Sequence, residues 1–587
     1  MDLSATLSRG LLSAALLSLL LVSSADAGEP LKPVGKPPTP RFNTLYDTDA
    51  VGRLLEAYAK AYPRWLRLST IGQSSEGRPI WLLTLTNPES GPELQKPAMY
   101  VDANTHANEV QGTETTLYLI DFLLTRYGKL ERVTELLDRA VFYFVPVVNP
   151  DGRSKWFSQP ATPHFPRTVA TPRDDDRDGL SDEDGYDDLD GNGVITRMRK
   201  KVALGEGRFR LDPKDPRIMV RVKPGEQGDY TFLGWEGIDN DGDGRINEDP
   251  LGYVDPNRTF GYDFQPRYVQ GGASDYPLQI PETRAIAKWA LTKPNLAAAQ
   301  SFHNAGRMIL RGPGSKHVPE YPREDIGVYD LISKEGERLL PGYKAMVIWK
   351  DLYRAHATTV DHLYMIHGAI TFTNELYRAP TDLDGDGHPK PEERMKFNDL
   401  LTLGRQFVPW KKVKHPQYGE VEVGGYRHDV GRVPEGWLLE SECHRNAAFV
   451  LFHARQLPKL SIAEVKVRAQ GSGLWRIDVA VANERGIPSV TAIARQNKLH
   501  RQDLALIKGG KVVASGIVRD LDLDRIDLQR HRPERLEVPG VKGLGRQRLF
   551  FLVAGEGEVE LRYESLKAGV LTRRVELKEP ESRKEFK

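Results

Sequence analysis

The sequence predicts an α/β fold built on a mixed or parallel sheet, followed by a separate β-sandwich. Three observations lead there. Between about residues 44 and 455, apolar runs of strand length alternate with segments of helical period, the pattern of helices packed on a sheet. Residues from about 153 to 250 interrupt that alternation with Asp, Gly and charged side chains, and read as an insertion. Beyond about Leu457 the texture changes to short alternating runs between turn signals, "IAEVKVRAQ", "LWRIDVAVAN", "KVVASGIV", "RLFFLVAG" and "GEVELRYES", which predicts a β-sandwich over 456–587.

The elements follow in order. The opening "MDLSATLSRGLLSAALLSLLLVSSADAGEP" has Arg9, an apolar core from Leu11 to Val22 and a small-x-small site at Ala25-Asp26-Ala27. Residues 1–27 are therefore expected to be a cleaved signal peptide, and the mature protein to be secreted or periplasmic. A Pro-rich connector covers 28–43 and should be extended. "VGRLLEAYAKAYP", "TTLYLIDFLLTRY" and "PETRAIAKWALTK" have helical period. "PIWLLTLT", "AMYVDAN", "AVFYFVPVV", "LAAAQSFH" and "AITFTNELY" read as strands, the third of them buried. "EPESRKEFK" closes the chain as a frayed tail.

Composition excludes several function classes. Among 587 residues, 82 basic side chains balance 81 acidic ones, so no net charge draws the chain to nucleic acid or to an anionic membrane. Cys443 is the single cysteine, which rules out an internal disulfide; its neighbours read as a helix, and the thiol as packed rather than reactive. Stability must come from the core and from metal ions.

Metal chemistry enters at "YVDANTHANEVQG". His106 and Glu109 stand just past a strand end, where residues three apart can converge on one ion. His303 is delivered by the apolar run "LAAAQSFH" to a sheet edge, where ligands of open α/β sheets gather. Glu375 ends the apolar run "ITFT"; a carboxylate there needs a partner, and near a metal-activated water it becomes a general base. Two His and one Glu form a catalytic zinc set that keeps its fourth position open.

These stretches, with "GQSSEGRPI", "VVNPDGR", "DPNRTFG", "PETRAIAKW" and "FTNEL", together resemble the carboxypeptidase A-type zinc metallocarboxypeptidases over about residues 44–455, the insertion apart. The resemblance implies a mixed eight-stranded sheet flanked by helices, one catalytic Zn2+ held by His106, Glu109 and His303, and Glu375 as base. It further implies Arg199 as the oxyanion arginine, Asn257 and Arg258 as the clamp on the substrate's terminal carboxylate, and Tyr353, eight before Asp361, as a mobile tyrosine with Tyr364 as the alternative. Val360 falls where side-chain preference is set and points to an apolar terminal residue. Asn108 and Thr196 stand where the pancreatic enzymes have arginines, so the basic substrate channel is reduced. The substrate implied is a peptide or protein with a free C-terminus. A zinc amidase acting on D-amino-acid-containing cell-wall peptides, and a non-catalytic calcium-dependent binding protein, remain open alternatives.

Four stretches match D-x-D-x-[DN]-G: Asp174-Asp176-Asp178, Asp188-Asp190-Asn192, Asp239-Asp241-Asp243 and Asp382-Asp384-Asp386, the last with Glu393 at loop position 12. Alternate oxygens at this spacing wrap a hard cation, so structural Ca2+ is expected.

Overall fold

The computed structural model describes residues 29–160, 167, 169, 172, 174–250, 252 and 254–578. The expected signal peptide and the closing "EPESRKEFK" lie outside them.

Eight strands form the central mixed sheet, in the spatial order Leu66–Gln73, Pro79–Leu85, Val141–Val145, Ala98–Ala103, Leu296–Asn304, Ile370–Leu376, Met308–Arg311 and Lys344–Val347. The four from Val141–Val145 to Ile370–Leu376 run parallel. They are buried almost throughout, which explains their unbroken apolar sequences. Alternation assigns their two faces. Met99 and Val101 join a core with Leu117, Ile120 and Phe449 from the helices Gln111–Arg126 and Gly436–Arg455. Tyr100 joins a second core with Ile286 and Trp289 of Pro281–Leu291. Gly112 lets the first of these helices close on the sheet, since a Cβ there would meet the Cβ atoms of Phe302 and Ala103 at 2.8 and 3.0 Å. Cys443 is buried in Gly436–Arg455, and burial pushes its thiol up, away from the reactive thiolate.

The insertion is more than acidic loops. It supplies Arg197–Lys201, Phe209–Leu211, Met219–Arg221 and Tyr230–Trp235 to a six-stranded antiparallel sheet completed by the hairpin Phe407–His415 and Gly419–Tyr426. The insertion's strands are only three to six residues long, so period-two patterning hardly marks them.

Residues 460–577 fold as a five-stranded and a four-stranded sheet whose inner faces share one core, with Val479 and Phe551 from one and Leu561 and Tyr563 from the other. This unit is tied to the first. Lys567 donates to the carbonyls of His367 (2.5 Å) and Gly368 (2.9 Å), and Asp325 accepts from the amides of Ala492 and Ile493. Among the described residues no helix is long and apolar enough to cross a membrane.

Candidate active site

The carboxyl ends of three neighbouring parallel strands build the site. After Ala98–Ala103 the chain turns at Asn104 (φ 56°) into a buried loop carrying His106 and Glu109. Arg153, itself fully buried, fixes that loop from below: it donates to Asn104 Oδ1 (3.1 Å), the Val110 carbonyl (3.1 Å) and Glu114 (2.7 Å). The adjacent strand Leu296–Asn304 carries His303 next to its end, and Glu375 on Ile370–Leu376 is the register partner of His303. Register partners on parallel strands project from the same face, so Glu375 and His303 are side by side.

Three atoms converge. His106 Nδ1 lies 3.1 Å from His303 Nδ1 and 3.1 Å from Glu109 Oε2, and His303 Nδ1 lies 2.9 Å from the same oxygen. A tetrahedral zinc with ligands at roughly 2.0–2.1 Å separates its ligand atoms by about 3.3 Å, close to these edges. The donor set also fits, since two ring nitrogens facing each other beside a carboxylate offer lone pairs to a common point. On the far side of the ring His106 Nε2 meets Asp255 Oδ1 at 2.8 Å, the carboxylate–histidine arrangement that orients a metal-bound imidazole. Burial, and then the Glu109 carboxylate, push Glu375 up to about 7, while His303, Arg167 and Arg432 oppose that rise.

Sequence reasoning missed three of the residues here. Asp255 was legible in principle, two positions before Asn257 in "DPNR". Arg167 Nη1 bonds Glu109 Oε1 at 2.8 Å and its Nη2 reaches Asp255 Oδ2 at 3.4 Å. Although burial opposes its charge, Asp255 and Glu109 hold that guanidinium firmly protonated, with Tyr353 and Glu375 also close enough to contribute. Arg432 donates to the Asn304 carbonyl at 2.9 Å and stands 3.4 Å from Glu109 Oε1. Neither arginine lies in a stretch with any metal or substrate pattern.

Asn257 and Arg258 join the group through Asp255, whose Oδ1 accepts from the Asn257 amide at 2.8 Å. Asn257 Oδ1 accepts from Thr359 N at 2.9 Å, so the amide nitrogen is its remaining polar group, a donor suited to a carboxylate. Arg258 is buried, and its guanidinium lies 6.0 Å from the ring centre of Tyr353, which is 48% exposed. Tyr364, the alternative, is a core residue that donates to Asp325 at 2.7 Å and cannot reach substrate. Val360 is buried in the helix Thr359–His367.

Arg199 is elsewhere. It lies on Arg197–Lys201 of the six-stranded sheet, bonds Glu422 Oε2 at 2.7 Å, and stacks 4.0 Å from the ring centre of Trp410 and 5.1 Å from that of Tyr230. None of these partners belongs to the histidine–carboxylate cluster. The sheet that captures Arg199 supplies a carboxylate and two aromatic faces, and these satisfy the guanidinium.

The acidic loops differ among themselves. In the fourth, Lys390 Nζ lies 2.5 Å from Asp384 Oδ2 and 2.9 Å from Asp386 Oδ2, while Glu393 accepts from the amides of Leu383, Asp384 and Lys390. Lys390 thus pairs with two acids of that loop, and Glu393 caps the helix Pro391–Leu401. In the second, the Asp188 carboxylate accepts from the amides of Asn192 and Gly193, and Lys411 Nζ stands 3.6 Å from Asp190 Oδ2.

Known proteins match the first part of this site. Residues 51–176 match the family described as zinc carboxypeptidase. That stretch holds His106, Glu109 and Arg167, whereas His303 and Glu375 lie beyond it. Carboxypeptidase D of Rattus norvegicus is 36% identical over 141 residues, 24% of this chain and 10% of that protein. A protein of Ajellomyces dermatitidis described as an inactive metallocarboxypeptidase is 32% identical over 112 residues, 19% of each chain. The chain thus matches a tenth to a fifth of the length of these relatives. Among solved structures, carboxypeptidase A of Helicoverpa armigera aligns with a TM-score of 0.42 at 16% identity, over 70% of this chain and 74% of that one. Residues 459–576 match a domain of unknown function.

Proposed function

We propose that the mature protein is an exported zinc-dependent carboxypeptidase that removes residues from the C-terminus of peptides. The observation that carries this reading is the convergence of His106 Nδ1, His303 Nδ1 and Glu109 Oε2 within 2.9–3.1 Å of one another at the strand ends. Zinc held by these three would polarise the scissile carbonyl and acidify a water molecule.

The remaining work falls to the chain's own groups. Glu375, beside His303 and held near neutrality, takes a proton from the attacking water and returns it to the leaving amine. Arg167, rather than Arg199, is the cation within reach of the developing oxyanion. Arg258 and the amide of Asn257 bind the terminal carboxylate, which suits a guanidinium fork, and Tyr353 closes over it from an exposed loop. Export rests on the leader at 1–27, and Ca2+ is the proposed structural ion of the first and third acidic loops.

The test is release of free amino acids from a mixed peptide library by the mature protein, before and after metal removal, with zinc added back. Release that stops on removal and returns with zinc supports the proposal. A zinc-loaded protein that releases nothing contradicts it, and cleavage of D-amino-acid-containing cell-wall peptides alone would replace it with the amidase reading.

A further inference from the structure

Residues 174–184 and 239–249 repeat one pattern at an offset of 65 positions, D-x-D-x-D-G-x-x-x-E-D, with Asp174, Asp176, Asp178, Glu183 and Asp184 answered by Asp239, Asp241, Asp243, Glu248 and Asp249. The backbones repeat too: φ is positive at Arg177, Gly179 and Asp182, and at Gly242, Gly244 and Asn247. The two copies meet at a bridge between Asp184 and Asp249.

Across that bridge each copy gives its last acid to the other. Asp249 accepts from the amides of Asp175 and Asp182, both at 3.1 Å, and one of its oxygens lies within 4.8 Å of one from Asp174 and one from Asp176. Asp184 accepts from Asn240 Nδ2 at 2.9 Å, and its carboxylate faces Glu248, as Asp249 faces Glu183. Asp184 and Asp249 are both 0% exposed. Asp184 Oδ2 makes no hydrogen bond among the described residues, and neither oxygen of Glu248 does. A buried Asp184 oxygen beside two Glu248 oxygens, none of the three with a donor, is costly, and a hard divalent cation removes that cost.

We propose that these segments form a crossed pair of Ca2+ sites, one made by Asp174, Asp176, Asp178 and Glu183 with Asp249, the other by Asp239, Asp241, Asp243 and Glu248 with Asp184. The pair is also a clasp on the active site. Val169 and Val254 pair as the insertion leaves and re-enters the catalytic unit. Arg167 lies two residues before that bridge and Asp255 one residue after it, and the two contact each other and the proposed zinc ligands Glu109 and His106. Calcium in the crossed pair therefore holds the support of His106 in place. This last step rests on the zinc reading above; the calcium sites do not.

The protein is stripped of metal, reloaded with one equivalent of zinc and titrated with CaCl2 by calorimetry. Asp174→Asn and Asp239→Asn each remove one site. Adding Asp184→Asn to Asp174→Asn removes the remaining site of the pair, whereas adding it to Asp239→Asn leaves the count unchanged; Asp249→Asn gives the mirror result. If Asp184→Asn instead weakens the site of its own loop, the crossing is wrong, and if neither Asp174→Asn nor Asp239→Asn lowers the count, the pair does not bind calcium. The clasp is read separately, from the rate at which zinc passes to a chromophoric chelator. Saturating CaCl2 slows that rate at least about tenfold in the wild type, the scale of a lost support around a metal ligand. The same rate with and without calcium, in a protein that binds both ions, overturns the clasp and leaves the sites standing.

Discussion

The carboxyl edge of the eight-stranded sheet and the six-stranded sheet beside it both collect arginines, acids and aromatic rings. At the edge, Arg167, Arg432, Glu109, Asp255 and Glu375 crowd around two histidines, and the nitrogen lone pairs point inward at each other. In the outer sheet Arg199 finds Glu422 and the faces of Trp410 and Tyr230, partners that complete its charge. A closed set of partners is what a structural arginine needs. A surplus of inward-facing ligand atoms is costly, and is retained where an ion or a substrate completes it.

The comparison can be broken at several points. At the edge, Glu375→Gln should reduce turnover by about 10³-fold or more while zinc stays bound, read by single-turnover assay and metal analysis; a mild loss would remove Glu375 from the chemistry. Beneath the edge, Arg153→Ala leaves the buried Glu114 carboxylate without its cation and should cost about 3–5 kcal/mol in denaturant unfolding. Beside it, Asp255→Asn should lower zinc affinity about 10–100-fold by competition titration, through His106.

The smallest effect belongs to the core under the sheet. Burial pushes His453, packed against Phe372 and Phe449, down to about 3. The unfolded chain therefore takes up a proton that the folded chain refuses, and stability falls as pH drops below about 6.5, by roughly 1.4 kcal/mol per pH unit from this residue. His453→Leu should flatten the acid limb of the stability profile by that slope.

Strand-borne parts of the site were legible because sequence period dictates where they land. His303 and Glu375 close apolar runs, so their placement at the parallel edge followed once the runs were read as buried strands. Arg167 was not legible, because it reaches Glu109 only through the closure of the insertion at Val169 and Val254. Arg199 shows the complementary case: its position along the chain matches an expected role, while "RMRKK" pairs with Gly419–Tyr426 and lies in the outer sheet. The fourth acidic loop taught a similar lesson, since Lys390, inside the same pattern of oxygens, neutralises them.

The most direct test of this assignment is kcat/KM for terminal-residue release by Arg167→Ala and Arg199→Ala, both zinc-loaded and assayed side by side. The account predicts a loss of about 10²-fold or more for Arg167→Ala, the scale of a missing oxyanion donor, and near-wild-type kinetics with lowered stability for Arg199→Ala. A large kinetic loss confined to Arg199→Ala would contradict it.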